Sequence, residues 1–264
     1  MFLLTLVALG QDSFGQYSKA IELRCEYLSN PIGIDVKQPR LSWMLSDKRS
    51  GAKQLAYQIL VSTDSLQLVK GKGNIWQTSK INSDVNLLTY KGKPLQPFTK
   101  YYWKINTWDK DNVRSDDTEI ASFESGMMDI KNWKGSWISD DGNINLKPAP
   151  YFRKTFSNSK KIKSARAYIA VAGLYELSVN GKKIGNHRLD PMYTRFDRRT
   201  LYVSHDVTSE ITEGINVVGV LLGNGWYNTS QPLYGIFTKL RGEAVLHFVW
   251  ICVLLIMMAH LKPL

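Results

Sequence analysis

Val171-Ala-Gly-Leu-Tyr-Glu-Leu-Ser-Val-Asn-Gly181 is the stretch whose reading decides the fold. Leu174–Val179 has strand character, and Lys182–Ile184 answers it across Asn180-Gly181. That residue pair supplies the positive φ of a type I′ turn, so the stretch predicts a β-hairpin. Upstream, Tyr151–Phe156 and Lys163–Ala172 read as strands, the second with Ala165, Ala167, Ile169 and Val171 on one face and Arg166 and Tyr168 on the other. Downstream come Leu201–Asp206 and Ile215–Leu222, and the near-continuous apolar run of the latter predicts a strand buried on both faces. The region closes on Gly223-Asn-Gly-Trp-Tyr227, rings set on glycines that offer a surface for a flat, hydroxyl-rich ligand.

Ahead of this region, 20–126 also reads as all-β. Arg40–Leu45, Ala56–Ser62, Ile75–Thr78, Leu87–Tyr90, Tyr101–Asp109 and Glu119–Ser125 are strands separated by turn residues at sandwich-like intervals. Alternation places Tyr101, Trp103 and Ile105 inside and Lys104 and Asn106 outside. Leu95-Gln-Pro-Phe-Thr-Lys-Tyr101 has the Leu-x-Pro-x-Thr-x-Tyr form of fibronectin type III domains, in which the tyrosine hydroxyl bonds back to nearby backbone. The segment therefore resembles a fibronectin type III-like sandwich. Asp109-x-Asp111-x-Val113 opens like a calcium loop, but Arg114 and Ile120 stand where glycine and glutamate are needed, so it reads as a hairpin turn. Gly71-x-Gly73 fails as a nucleotide loop, because Trp76 takes the third glycine's place. Trp133 and Trp137 lie at the join between the two β regions and are expected to pack there.

Composition removes several function classes. The net charge of +11 is spread along the 264 residues without a basic helix or an aromatic ribonucleoprotein motif, so a solvated basic surface is read and no nucleic-acid partner. Two cysteines give no disulfide framework, and Cys25 reads as a small core residue. The four histidines lack zinc-ligand spacing. Residues 1–15 pair a short apolar run with small and polar residues at a cleavage position and read as a signal peptide, which places the chain as secreted or periplasmic; a buried strand is the alternative.

The second region runs on from Gly173-Leu-Tyr-Glu-Leu-x-Val-Asn-Gly181 through Leu189-Asp-Pro191, Asp206-Val-Thr208 and Gly223-Asn-Gly-Trp-Tyr227. This order of motifs resembles the N-terminal part of bacterial α-L-rhamnosidases, glycoside hydrolases in which a fibronectin-like module and a carbohydrate-binding jelly roll precede a helical catalytic barrel. The resemblance covers roughly Ile21 to Arg241 and implies an all-β chain: a fibronectin type III-like domain at 20–126, then an incomplete jelly roll at 133–243. The hairpin alone is shared with jelly rolls of β-galactosidases and β-glucuronidases, which leaves a β-galactosidase-like front end as an alternative. The family inverts at the sugar with paired carboxylic acids on its barrel. Glu176, Asp190, Asp197 and Glu213 lie outside any such barrel, so no catalytic residue is assigned.

The resemblance implies rhamnose-containing glycans as partners. Asp190, Asn224, Trp226 and Tyr227 are the candidate binding residues, the rings stacking on a sugar's C–H face and the amide and carboxylate pairing with hydroxyls. Some family members hold rhamnose through calcium, and Asn180, Asp190 and Asn224 are the candidate oxygen donors here. Each has a plainer reading: turn chemistry for Asn180 and Asp190, and packing at a domain seam for Trp226.

Ala244–Leu261 carries no charged residue with its histidines neutral. It reads either as a membrane span, making the chain a membrane-anchored carbohydrate-binding protein, or as a frame lost near Trp250 after the start of a further jelly-roll strand. The second is preferred, since a span would interrupt the sheet and leave open strand edges. On either reading 244–264 is an apolar tail and the domain is expected to lack its last strands.

Overall fold

The computed structural model describes residues 18–115, 119–138, 149–196, 198–223, 225–226 and, as backbone, 251–258. The signal-like segment 1–15 and most of the 244–264 tail lie outside the described residues. The chain divides into two compact units, 1–128 and 129–264.

The first unit is a sandwich. One sheet orders β1 (Lys19–Cys25), β2 (Arg40–Ser46) and β6 (Leu87–Thr89) as β1-β2-β6. The other takes β3 (Ala56–Ser62), β4 (Trp76–Gln77), β7 (Lys100–Trp108) and β8 (Ala121–Glu124) in the order β4-β3-β7-β8, with β5 (Ile81–Asn82) also paired to β3. Leu41, Trp43, Ile59, Val61, Tyr101, Trp103, Ile105 and Phe123 fill the space between the sheets. The expected corner is present: the Gln96 backbone N–H donates to the Tyr101 hydroxyl at 2.7 Å, and the Tyr101 ring stacks on Phe123 at 5.2 Å. Cys25 is buried, and burial, helped by the Glu26 charge, pushes its thiol up to about 12, as befits an inert core residue.

Two expectations fail here for physical reasons. Asn106 lies inside, 1% exposed, and its amide donates to Gln58 across the β3–β7 pair. The outer face of this sheet is part-buried at Gln58, Tyr102 and Lys104, and a one-turn helix α1 (Ser65–Val69), capped by the Asp64 carboxylate, contacts β3 and β7 and buries Leu68. The strand Lys19–Cys25 goes unread because a bulge between Ile21 and Arg24 breaks its alternation.

In the second unit β9 (Tyr151–Asn158), β10 (Ser164–Val171), β11 (Leu174–Val179), β12 (Lys182–Lys183), β13 (Tyr202–Asp206), β14 (Gly214–Gly223) and β15 (Ile251–Met258) form two antiparallel sheets. Their orders are β13-β10-β15 and β12-β11-β14-β9. Ala165, Ala167, Ile169 and Val171 of β10 meet Leu177, Val179, Val220 and Leu222 across the core. β14 is not buried on both faces: Asn216, Val220 and Leu222 point inward, while Ile215 is 76% exposed. Its outer side has no covering layer among the described residues. The strand buried on both faces is β10, whose Arg166 is paired to Asp206 at 2.8 Å. Residues 251–258, within the apolar tail expected to leave the sheet without its last strands, pair with β10 from Ser164↔Met258 to Val171↔Ile251. No described helix is long and apolar enough to cross a membrane. At the join, Trp133 packs on Tyr202 within this unit, and Trp137 is exposed.

Candidate functional site

The Asn180-Gly181 hairpin forms as its sequence demands, with φ of +51° and +80°. Its asparagine is fully engaged in holding that end of the sheet. Asn180 Nδ2 donates to the Glu210 carbonyl at 2.7 Å and to Asn216 Oδ1 at 2.8 Å, while its Oδ1 accepts from Val217 N–H at 2.8 Å. Tyr175 N–H, at the opposite end of β11, donates to the Asp190 carbonyl at 3.1 Å. Five residues of strand separate Tyr175 from Asn180, about 16 Å at the rise of a β-strand. Calcium ligands sit about 2.3–2.6 Å from the ion. Asn180 and Asp190 therefore cannot share one cation, and the calcium set expected from sequence does not fit as a whole. The described residues hold no group of three or more His, Cys, Asp or Glu side chains arranged for a metal. Asn224 and Tyr227 lie outside the described residues.

What the fold does gather is a cluster around Asp190 at the β11–β14 end opposite the hairpin. The loop 185–196 leaves β12, passes His187 and returns to β11 at Asp190, whose peptide bond to Pro191 is cis. The His187 Nδ1–H donates to Asp190 Oδ2 at 3.1 Å. Tyr193, three residues on, packs edge-on against both Phe196, at 5.7 Å, and Trp226, at 6.0 Å. Trp226 is held over the strand ends by Gly225, where φ is +51° and an added Cβ would come within 3.1 Å of Leu174. Trp226 is 50% exposed, and Tyr193, Met192 and Leu189 are also exposed. An aromatic corner thus grows from the same loop as a part-exposed carboxylate, the pair of features that binds a sugar's apolar face and its hydroxyls.

Beneath the loop lies a polar pair that the sequence reading missed. The Tyr175 hydroxyl and His205 Nε2 are 2.7 Å apart, with the rings edge-on. Burial, reinforced by the Asp190 charge, pushes the Tyr175 hydroxyl well above the usual phenol range. Burial lowers His205 below the usual imidazole range, outweighing the opposing pull of Asp190. With the phenol protonated and the imidazole neutral, the two share one hydrogen bond whose donor is set by the imidazole tautomer. Only His187, three residues before Asp190, carried a signal legible beforehand; the Tyr175–His205 contact depends on a long-range placement of β13.

Comparison with known proteins places the chain. Residues 20–129 match the family model described as the Rha78A-like, N-terminal immunoglobulin domain, and 160–250 match the α-L-rhamnosidase N-terminal domain. An α-L-rhamnosidase of Formosa agariphila is 33% identical over 75% of this chain, and one of Alteromonas sp. is also 33% identical over 75%. The chain spans 23% of the length of each. The solved α-L-rhamnosidase of Dictyoglumus thermophilum superposes with a TM-score of 0.77 at 36% identity, over 90% of this chain and 27% of that one. The Aspergillus terreus enzyme, at 24% identity and a TM-score of 0.76, shares the fold. The sandwich seen here, with its tyrosine corner, is the immunoglobulin-like domain that the first match describes, and the Asp190 cluster sits within the second match. The chain belongs to the α-L-rhamnosidase family, of which it carries the N-terminal immunoglobulin-like domain and the rhamnosidase N-terminal domain.

Proposed function

We propose that this chain is the non-catalytic, glycan-recognising N-terminal region of a secreted or periplasmic α-L-rhamnosidase. In this reading the second unit holds rhamnose-containing glycans on the face formed by Asp190, Tyr193 and Trp226. The observation that carries it is the half-exposed Trp226 set edge-on to Tyr193, a ring three residues along the same loop from Asp190, whose described side-chain partner is a single exposed histidine. A terminal α-L-rhamnosyl group presents a methyl-bearing apolar side for the rings and vicinal hydroxyls for Asp190. The family match over 160–250 and the rhamnosidase relatives supply the choice of sugar. Secretion rests on the signal-like 1–15 segment.

Isothermal titration of methyl α-L-rhamnoside and methyl β-D-galactoside into the 264-residue chain tests the reading. Saturable binding of the rhamnoside alone is expected. Absence of binding, or preference for the galactoside, contradicts it. A chelator arm assigns the metal question: binding lost with chelator requires a cation on Asp190 with oxygen donors other than Asn180, whereas unchanged binding leaves recognition to protein groups.

A further inference from the structure

Tyr175 and His205 touch the 185–196 loop at two separate points. At the loop's start, a Cβ built on Gly185 would lie 3.2 Å from His205 Cε1 and 3.3 Å from Nδ1, so the loop backbone runs directly against the imidazole edge. Gly185 has φ of +75°, a conformation that a side chain would strain. Five residues later the Tyr175 N–H takes the Asp190 carbonyl at 3.1 Å. The 2.7 Å bond between the Tyr175 hydroxyl and His205 Nε2 joins these two points from below. Neither side chain belongs to the exposed aromatic corner.

We infer that Tyr175 and His205 are positioning residues for the glycan face: their mutual hydrogen bond fixes the Gly185–Asp190 segment and thereby sets where the Asp190 carboxylate meets the ligand. This rests on the reading of that face as a rhamnoside site. A side chain pinned in its bound position loses less conformational freedom on binding, so the bond strengthens recognition without touching the sugar.

The test uses Tyr175→Phe, His205→Leu and His205→Gln in the full chain. Each is titrated with methyl α-L-rhamnoside, with amide hydrogen exchange followed over the loop. Tyr175→Phe and His205→Leu are expected to weaken affinity about 5-fold, the worth of one ordinary hydrogen bond, and to speed exchange in the loop alone. His205→Gln keeps an acceptor for the Tyr175 hydroxyl and is expected to stay within about 2-fold of the parent. Parent-like affinity in all three variants overturns the inference. So does His205→Gln binding as weakly as His205→Leu when both keep the parent's unfolding temperature. If Tyr175→Phe or His205→Leu loses protection throughout the second unit, the pair is a core element and the positioning role is refuted. No rhamnoside binding by the parent refutes the site itself, and is read separately from these outcomes.

Discussion

Two aspartate-bearing loops, one in each unit, both carry candidate calcium ligands in sequence and behave differently in the fold. In the first unit Asp109 is 2% exposed and its bonding is full: Oδ1 accepts from Asp111 N–H at 3.0 Å and Val113 N–H at 2.9 Å, and Oδ2 takes Arg49 at 2.5 Å. The same guanidinium clamps Asp47, 1% exposed, at 2.6 Å and Asp111 at 2.9 Å. In the second unit Asp190 is 22% exposed and its described side-chain partner is His187. The first loop spends its carboxylates on its own turn. The second keeps its carboxylate part-exposed, three residues before Tyr193. A calcium-like spacing is thus poor evidence of a binding site when a nearby arginine and backbone N–H groups already use the oxygens.

Stability should separate the loops most strongly. Asp109→Ala removes the acceptor of two backbone N–H groups and one arm of the Arg49 cluster, and is expected to destabilise the first unit by about 3 kcal/mol. Its rhamnoside affinity should match the parent's. Denaturant unfolding followed by titration of the folded variant checks both. A variant that keeps its stability and loses the sugar would reverse the roles assigned to the two loops.

Asn180→Ala is the next effect in size. It strips three side-chain hydrogen bonds and a turn asparagine at φ +51°, with an expected loss of about 2 kcal/mol in the second unit. Because Asn180 lies at the far end of β11, the folded variant should bind the rhamnoside like the parent, with or without chelator. A calcium-dependent loss of binding there would restore it as a ligand.

Acid should part the two units in a fixed order. His205 has its folded pKa lowered by burial, so the unfolded chain takes up the proton first as pH falls. The second unit then loses stability below about pH 6.5, at a slope of at most about 1.4 kcal/mol per pH unit, the limit for uptake of one proton. In the first unit Arg49 holds the Asp47 carboxyl down at about 2. Asp109 also stays below the usual carboxylate range: burial would raise it, but Arg49 and the two backbone N–H groups prevail. Those carboxylates contribute stability above their unfolded values near pH 4, and it is lost only as pH falls through the lower folded values. Hydrogen exchange at pH 5 against pH 7 should therefore show loosening confined to the second unit. Loosening of the first unit at pH 5 would contradict this.

Much of this was legible in the chain. Ala56–Ser62 and Leu174–Val179 form over the expected residues, and the Asn-Gly pair and the Leu-x-Pro-x-Thr-x-Tyr run act locally, as turn and corner. Reading fails where a layer contributed from elsewhere decides burial. Asn106 is buried and bonded to Gln58 on the neighbouring strand, while β14 is fully buried on one face alone despite its apolar run. The tail shows the same limit in reverse: Ile251–Met258 reads as foreign, yet it finds a partner edge in β10. At the site, Asp190 and Trp226 could be named in advance because each stands in a short motif. The Tyr175–His205 pair that supports them could not, since it joins β11 to β13 across 30 residues of chain.

The central claim is that the Asp190 carboxylate and the Tyr193–Trp226 corner recognise rhamnose. Titration of methyl α-L-rhamnoside into the parent chain, Trp226→Ala and Asp190→Ala tests it most directly, with unfolding temperatures measured alongside. The account predicts saturable binding by the parent and a loss of about 10-fold or more in each variant, at little change in stability. Undiminished rhamnoside binding by both folded variants would contradict it.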